Sequence, residues 1–407
     1  MIQSVRIQYY KAIQDSGALR LPAFAVFIGN NGSGKSSVFE ALQLLHEAVV
    51  SDINQAFNRW GGLENVRNHR AKYERPRKTK TDYWEEYATV EIRLTCRIDQ
   101  KTYRYQVGFN TGSNEDIYLV KYESLHVNKV EVFSSNLQDN EGYSDATYKL
   151  NEQEAKLKAM VGLNDPNVLR YRANRLFVAI LIPDLPDECR IFYEYVVGWQ
   201  FLALNAQTMG LPVPLNRLTS EIRLLPDGRN LAEYIRQLAR DPERLNGLVE
   251  KMKFVLPYAS DIQTQTTEDF DRKIQLRLLE EGQRTPVPGW LFSSGTLRIL
   301  AILAVMQSPK PPTALLIDEV ENGLDPRTIG LLINEIQQQY AAQRTQVVVT
   351  THSPYFLDLV PLESILVSEK STEDGTYFHL PKDEQSLDIW RKKFPPGKLY
   401  TMGKLTE

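Results

Sequence analysis

The residues best suited to chemistry lie near the start of the chain, in a glycine-rich stretch that ends in lysine and serine. Residues 29–36 read Gly-Asn-Asn-Gly-Ser-Gly-Lys-Ser. A loop of this kind can curl so that several backbone N–H groups point at one anion, and the lysine adds a charge for the β- and γ-phosphates. The last hydroxyl can hold Mg²⁺. We call residues 29–36 the phosphate loop, and its sequence predicts a nucleotide site rather than a turn that binds nothing.

The elements on either side of the phosphate loop fit this role. Residues 24–28 form an apolar run that predicts a buried strand, and the residues from about 36 to 51 are apolar at helical spacing. The start of that helix adds the positive end of its dipole. Upstream, alternation predicts strands over residues 2–9 and 19–28. The residues predicted to bind the nucleotide here are Asn30, Asn31, Gly32, Ser33, Gly34, Lys35, Ser36 and Ser37, with Ser36 also a metal ligand.

Two acids follow a second apolar run, residues 314–317, which predicts another buried strand. At the carboxyl end of a strand beside the phosphate loop, Asp318 is placed to bind Mg²⁺, directly or through water. Glu319 is placed to polarise the attacking water as a general base. Farther on, His352 comes after the apolar strand 347–350. A lone histidine is more often structural, but the order of these motifs favours contact with the γ-phosphate.

A second turn suited to an anion opens the apolar helix predicted over residues 297–305. It contains Ser293, Ser294 and Gly295, and a serine-glycine turn at a helix N-terminus is an anion site. The phosphates bound at the phosphate loop already have a helix of their own. A second anion site therefore makes sense if it meets the nucleotide of another copy, which predicts a homodimer.

The composition is that of an ordinary globular protein, with 407 residues, 42% hydrophobic and 24% charged residues, and a net charge of −3. That charge argues against coating nucleic acid by bulk charge, although local patches remain possible. The two cysteines have no partner at metal spacing, which fits a reducing compartment without structural zinc. The apolar run 176–183 is too short to span a bilayer, and the first residues lack a signal-peptide core. We therefore expect a cytoplasmic protein with no membrane partner.

A basic stretch lies between residues 67 and 80. It holds seven lysines and arginines and a single acid, Glu74, while Pro76 prevents a helix. Charge runs usually face water, so a solvated loop is the common reading. The alternative is a patch that contacts the phosphates of DNA.

The remaining pattern sets the fold class. Residues 88–135 are strand-like, with a hairpin turn at Asp99-Gln100, a second hairpin over residues 119–133 and a polar loop over residues 136–145. From about residue 151 the period is helical, aromatic residues near 192–201 predict core, and Asn230 and Asp241 predict helix caps. We predict an α/β protein: a largely parallel sheet flanked by helices, an antiparallel β subdomain and an α-helical insertion. The predicted regions are 1–150, 151–270 and 271–407.

Taken in order, these motifs resemble the ATP-binding-cassette superfamily and, within it, the SMC/RecF-like branch of AAA-type ATPases. Residues 29–36 look like Walker A, 293–296 like the signature motif, 315–319 like Walker B, 323–326 like the D-loop, and His352 like the switch histidine. The resemblance implies an ABC-type head that binds ATP and Mg²⁺ and dimerises around two nucleotides. It places Ser293 and Gly295, with Ser294 between them, at the γ-phosphate of the partner copy. Phe292 and Ser294 depart from the usual signature residues.

The match is closer still to ATPases of the OLD-like (overcoming lysogenization defect) class, through residues 225–232 and 297–301. Proteins of that class carry a Toprim nuclease domain after the ATPase, whereas the 55 residues after His352 show no Toprim pattern. The resemblance implies a switch ATPase that controls a separately encoded Toprim-type nuclease in prokaryotic antiphage defence. The alternative is a RecF/SMC-like repair ATPase that binds DNA itself, which the basic stretch favours. A transporter subunit fits less well, because the insertion is too long.

Overall fold

The computed structural model describes residues 1–71, 88–111, 118–137, 143–148, 168–180, 186–215, 222–267, 272–342, 345–371, 375–384, 387 and 389–405. The strands are β1 (Ile2–Tyr10), β2 (Ile13–Asp15), β3 (Leu19–Arg20), β4 (Phe24–Ile28), β5 (Val90–Ile98), β6 (Lys101–Thr111), β7 (Tyr118–Val127), β8 (Val130–Leu137), β9 (Tyr143–Tyr148), β10 (Val168–Arg172), β11 (Trp199–Leu202), β12 (Val213–Pro214), β13 (Ala259–Thr266), β14 (Lys273–Glu280), β15 (Val287–Pro288), β16 (Ala314–Ile317), β17 (Gln346–Thr350), β18 (Ile365–Ser371) and β19 (Gly375–His379). The helices are α1 (Lys35–Val50), α2 (Ile53–Asn58), α3 (Leu63–Val66), α4 (Asp187–Val197), α5 (Ala206–Met209), α6 (Leu231–Leu238), α7 (Pro242–Val255), α8 (Ser294–Met306), α9 (Pro326–Ala341), α10 (Pro354–Asp358) and α11 (Pro396–Thr401).

Two compact units divide the chain, and each is assembled from distant segments. Unit 1 consists of Met1–Pro22, Gly29–Trp199 and Leu366–Leu380, and unit 2 consists of Ala23–Ile28, Gln200–Ile365 and Pro381–Glu407. The three regions predicted from the sequence, by contrast, are each one continuous stretch of the chain. Within the range predicted to be mainly helical, strands β10, β11, β12 and β13 accompany the helices.

Unit 1 is built on an antiparallel sheet with the strand order β10-β9-β8-β7-β6-β5-β1-β2, and β3 pairs with β1. Both predicted hairpins are confirmed. Their two-residue turns, Asp99-Gln100 and Asn128-Lys129, have positive φ at all four positions, as the twist of a tight hairpin requires. The polar loop predicted over 136–145 is wrong at both ends, because residues 136–137 belong to β8 and residues 143–145 to β9, in which Ser144 and Ala146 are buried. Residues 138–142 lie outside the described residues.

The core of unit 1 includes the predicted aromatic residues. Phe192 is fully buried and stacks on Tyr105, with 4.8 Å between ring centroids. Beside them, the buried carboxylate of Glu123 accepts hydrogen bonds from the Tyr105 hydroxyl (2.9 Å) and from the backbone N–H groups of Phe177 and Val178 (2.5 and 3.1 Å). Burial raises the pKa of Glu123 to about 7. These bonds fix the segment 177–179 to the sheet.

The strand predicted over residues 19–28 is wrong as a single element. The chain forms β3 (Leu19–Arg20), which pairs with β1, and then β4 (Phe24–Ile28), which lies in the parallel sheet of unit 2. Pro22 stands between them, and proline has no N–H with which to continue a ladder. This break lets one apolar stretch serve two sheets.

Unit 2 contains the predicted parallel sheet. β16 pairs with β17 and β17 with β4, all parallel, and every residue of the three strands is buried. β11 lies beside β16. A smaller antiparallel sheet has the order β12-β14-β13, with β15 paired to β14. Helix α8 packs against α5, α6, α7 and α9, and ten of its thirteen residues are buried. Such a helix, apolar on all sides, belongs in a core.

Two predicted helix caps in unit 2 had different outcomes. Asp241 caps α7, because its side chain accepts from the N–H groups of Glu243 and Arg244. Asn230 occupies the predicted N-cap position of α6, but its side chain does not cap the helix and instead binds the preceding loop through Leu225 N–H and Arg223 C=O. In the described part of the chain, no helix is long and apolar enough to cross a membrane.

Candidate functional site

The phosphate loop begins at the residue that follows β4 and ends in the first turn of α1. Gly29, Gly32 and Gly34 all have positive φ (142°, 78° and 103°), a region that side-chain-bearing residues rarely adopt. Gly34 stands at the N-cap of α1, and no side chain caps that helix. The first turn of α1 therefore has no side-chain cap, an arrangement that suits a helix start facing an anion.

Lys35 curls back across the phosphate loop. Its ammonium donates to the backbone carbonyls of Gly29 (2.7 Å) and Asn30 (3.1 Å), and the residue is buried. Asn30, Asn31 and Ser36 are exposed, so the loop presents amides and a hydroxyl on its outer side. A cation held against a curl of glycine backbone fits a polyphosphate, and the exposed Ser36 hydroxyl fits a Mg²⁺ ligand.

The hairpin β18–β19 holds the phosphate loop within unit 1, and we call it the clamp hairpin. The Ser368 hydroxyl donates to the backbone carbonyl of Ser33 at 2.7 Å. A Cβ on Gly29 would lie 2.0 Å from the Ser368 carbonyl oxygen, and one on Gly34 would lie 2.7 Å from Thr376 Cγ2. Glycine at positions 29 and 34 therefore allows the clamp hairpin to approach the loop backbone closely.

Residues 318–322 form the acidic turn that follows β16 in unit 2. Asp318 is half-buried and Glu319 is exposed. Glu319 has φ 47°, in the left-handed region, where a non-glycine residue is uncommon. Asn322 donates from its backbone N–H to the Glu319 carbonyl (3.1 Å) and from its side-chain amide to Glu319 Oε2 (3.2 Å). Glu319, the predicted general base, therefore lies in a turn that is held by hydrogen bonds from Asn322.

His352 lies two residues after β17, beside the acidic turn. Its backbone N–H donates to Glu321 Oε1 at 2.7 Å, which ties its main chain to that turn. Arg298 on α8 lies near the carboxylates of Glu319 and Glu321. Burial lowers the pKa of Arg298, and the negative charge of these two carboxylates opposes that shift. The structure thus brings Asp318, Glu319 and His352 into one region of unit 2.

The serine turn, residues 293–296, starts α8. Ser293 Oγ accepts from the Thr296 N–H (3.0 Å) and lies 2.8 Å from the Thr296 hydroxyl, so Ser293 is the helix cap. A Cβ on Gly295 would lie 2.3 Å from the carbonyl oxygen of Gly323. The serine turn and residue 323 of the predicted D-loop are therefore packed backbone to backbone. Ser293 and Ser294 are exposed.

The basic stretch lies largely outside the described residues, which stop at 71 and resume at 88. Arg67, its first member, is not a surface residue. It is buried and donates to the Asn110 side chain at 2.9 Å. Among the described residues, no cluster of three or more His, Cys, Asp or Glu side chains is arranged to hold a metal.

Comparison with known proteins adds the family. A model described as "AAA domain, putative AbiEii toxin, Type IV TA system" matches residues 24–145 and 207–358, together about two thirds of the chain. The chain belongs to this AAA-domain family. The "ATP/GTP phosphatase" of Helicobacter pylori (strain ATCC 700392 / 26695) is 23% identical to the AAA-domain chain over 390 residues, 95% of this chain and 94% of that protein.

A solved structure shares the fold of this AAA-domain chain. An SMC head bound to the C-winged helix domain of ScpA has a TM-score of 0.51 at 14% identity, over 93% of this chain and 97% of that one. The SMC head domain from Thermotoga maritima has a TM-score of 0.43 at 10% identity, over 93% and 98%. The protein therefore has an AAA-type ATPase domain, and its α/β fold resembles that of an SMC head.

Three side chains at the site of this ATPase were not found from the sequence. Ser368 and Thr376 of the clamp hairpin lie more than 300 residues from the phosphate loop they touch, so no local pattern marks them. Thr350 carried one weak signal: it ends a run of three valines, where a buried hydroxyl needs a partner.

Proposed function

We propose that this ATPase hydrolyses ATP with Mg²⁺ in sites shared by two copies of the chain, and that closure of the dimer switches a partner. The observation that supports this most is topological. Strands β4, β17 and β16 are adjacent and parallel, so their carboxyl ends share one edge of the sheet. The phosphate loop follows β4, His352 lies just after β17, and the acidic turn follows β16. Ligands of open α/β sheets bind at such edges.

Each predicted residue has a distinct role in this proposal. Lys35 and the N–H groups of residues 30–37 bind the phosphates, and Ser36 and Asp318 would hold Mg²⁺. When bound, Mg²⁺ would neutralise part of the negative charge of the phosphates. Glu319 takes a proton from the water whose oxygen attacks the γ-phosphorus, while the bond to the bridging oxygen of ADP breaks. His352 donates a hydrogen bond to the γ-phosphate.

The second copy completes the site through its serine turn. Ser293, Ser294 and Gly295 would meet the γ-phosphate bound to the partner, because the phosphate loop already has its own helix start. The exposure of Ser293 and Ser294 supports this role. Hydrolysis removes the γ-phosphate and with it the contact that joins the two copies, which would reopen the dimer.

Glu319→Gln tests this function. The variant should bind ATP with the affinity of the natural chain, hydrolyse it about 100-fold more slowly, and accumulate as a dimer with ATP, because only proton transfer is lost. Hydrolysis of ATP and GTP with Mg²⁺, nucleotide affinity and mass in solution are measured, with the exposed Glu243→Gln as the matched control. Near-normal turnover by Glu319→Gln would remove Glu319 from this role.

For the partner, we propose a separately encoded Toprim-type nuclease in antiphage defence. The OLD-like motifs at residues 225–232 and 297–301 support this reading. Co-purification with the product of the adjacent gene, together with infection assays, tests it, and the lack of both a bound nuclease and protection would contradict it. The second candidate is a DNA-binding repair ATPase, supported by the SMC-head fold. It requires that DNA stimulate hydrolysis and that neutral residues at 70–80 remove the stimulation.

A further inference from the structure

One threonine hydroxyl links both acids of the acidic turn to the neighbouring strand. Thr350 is the last residue of β17, is 1% exposed, and belongs to unit 2 together with the acidic turn. Its Oγ1 accepts from the backbone N–H of Glu319 at 2.7 Å and donates to Asp318 Oδ1 at 2.6 Å. Its carbonyl oxygen accepts from the N–H of Val320 at 3.1 Å. Three consecutive residues of the turn are thus bound to Thr350.

The hydroxyl bonds one acid as a donor and the other as an acceptor. A threonine hydroxyl has a single proton, and here that proton points at Asp318 while the oxygen receives the Glu319 amide. The direction of the Asp318 carboxylate and the position of the Glu319 main chain are therefore set by the same atom. A rotation of the hydroxyl away from one partner would also weaken its bond to the other.

The conformation of Glu319 shows why such a link is needed. At φ 47° its backbone lies in a region that non-glycine residues adopt only where their surroundings hold them. The bonds from Thr350 and from Asn322 hold it on both sides. An extended Glu319 would direct its carboxylate elsewhere and lose the amide bond to Thr350.

The composition of β17 argues against a packing role for this hydroxyl. Val347, Val348 and Val349 fill the same buried strand without polar atoms. A hydroxyl buried at the next position costs free energy unless it is bonded, and valine has nearly the same shape. The oxygen of Thr350 is therefore present for its bonds to the acidic turn.

We propose that Thr350 is a positioning residue for hydrolysis, which aligns the metal-binding acid Asp318 and the base Glu319 through one hydroxyl. This role rests on the proposed function, in which those two acids act. It requires that loss of the hydroxyl slow turnover far more than it weakens nucleotide binding. It also requires that serine, which keeps the hydroxyl and loses only a methyl group, restore turnover.

The test compares Thr350→Val, Thr350→Ser and the control Thr345→Val in the full chain. Thr345 is 2% exposed, immediately precedes β17, and its hydroxyl has no hydrogen-bond partner among the described residues. Thr350→Val should lower kcat about 30-fold, raise the Mg²⁺ concentration for half-maximal rate several-fold, and leave ATP affinity within about threefold. Thr350→Ser should stay within about threefold of the natural kcat, and Thr345→Val should leave kcat unchanged.

The possible outcomes separate the two proposals. A natural chain that hydrolyses ATP while Thr350→Val matches its kcat would overturn the role of Thr350 alone, as would Thr350→Ser being as slow as Thr350→Val. A fall in kcat matched by an equal loss of ATP affinity and a lowered Tm would also overturn it, because that is the mark of a structural role. A natural chain that hydrolyses neither ATP nor GTP contradicts the proposed function and this role together.

Discussion

Helices α1 and α8 both begin at a turn of small residues, and the two turns are held in different ways. At α1 the N-cap is Gly34, no side chain caps the helix, and the turn is fixed from outside by Ser368 of the clamp hairpin. At α8 the hydroxyl of Ser293 accepts from the Thr296 N–H within the turn itself. A helix start without a side-chain cap leaves its N–H groups to a ligand, whereas a capped start is already stable alone. The comparison separates a helix start that is held from outside from one that is capped within its own turn.

The largest effect is expected at α1. Lys35→Ala should weaken ATP binding at least 100-fold, because Lys35 is the one basic residue in the sequence of the phosphate loop. Titration with a fluorescent ATP analogue measures it, and the exposed Lys392→Ala is the control. An affinity within threefold of the natural value would show that the two helix starts do not differ in this way.

A smaller effect is expected at α8, from Ser293→Asp. Aspartate caps a helix as well as serine does, so Tm should stay within a few degrees, and ATP binding should not change. The new charge would repel the γ-phosphate of the partner copy, so hydrolysis and ATP-dependent dimer formation should fall at least tenfold. Ser293→Thr, which caps without charge, is the matched control. Equal hydrolysis by both variants would leave Ser293 as a cap alone.

The smallest effects are expected when the hydroxyl that stabilises each turn is removed. Ser368→Ala removes the bond to the Ser33 carbonyl and should lower the free energy of unfolding by about 1–2 kcal/mol, with a few-fold loss of ATP affinity. Ser293→Ala should cost about 1 kcal/mol and leave ATP affinity unchanged. Urea unfolding and nucleotide titration measure both variants. If Ser293→Ala weakened ATP binding as much as Ser368→Ala, the contrast between an externally held turn and a self-capped turn would be wrong.

What could be predicted from the sequence followed from local pattern. Strand β4, the phosphate loop and α1 were placed to within a residue, because an apolar run, glycines and a 3.6-residue period occur within about 30 positions. The single strand predicted over residues 19–28 failed at Pro22, because periodicity does not show when a chain changes sheets. Ser368 and Thr350 act through contacts across 335 and 31 residues, and the left-handed backbone of Glu319 depends on the second of them. Such contacts exist only once the tertiary structure forms.

The clamp hairpin has a consequence for the order in which the protein is made. Ribosomes release the phosphate loop early, yet Ser368 and Thr376, which fix its glycine backbone, are synthesised more than 330 residues later. Unit 2 likewise needs β4 from the start of the chain and β17 from near its end. Unit 2 cannot complete its parallel sheet until β17 has been synthesised, and pairings of such long range form slowly. The clamp hairpin therefore reaches the phosphate loop only after residue 376 has been synthesised, and a chain terminated before it carries the loop without the contacts that fix its backbone.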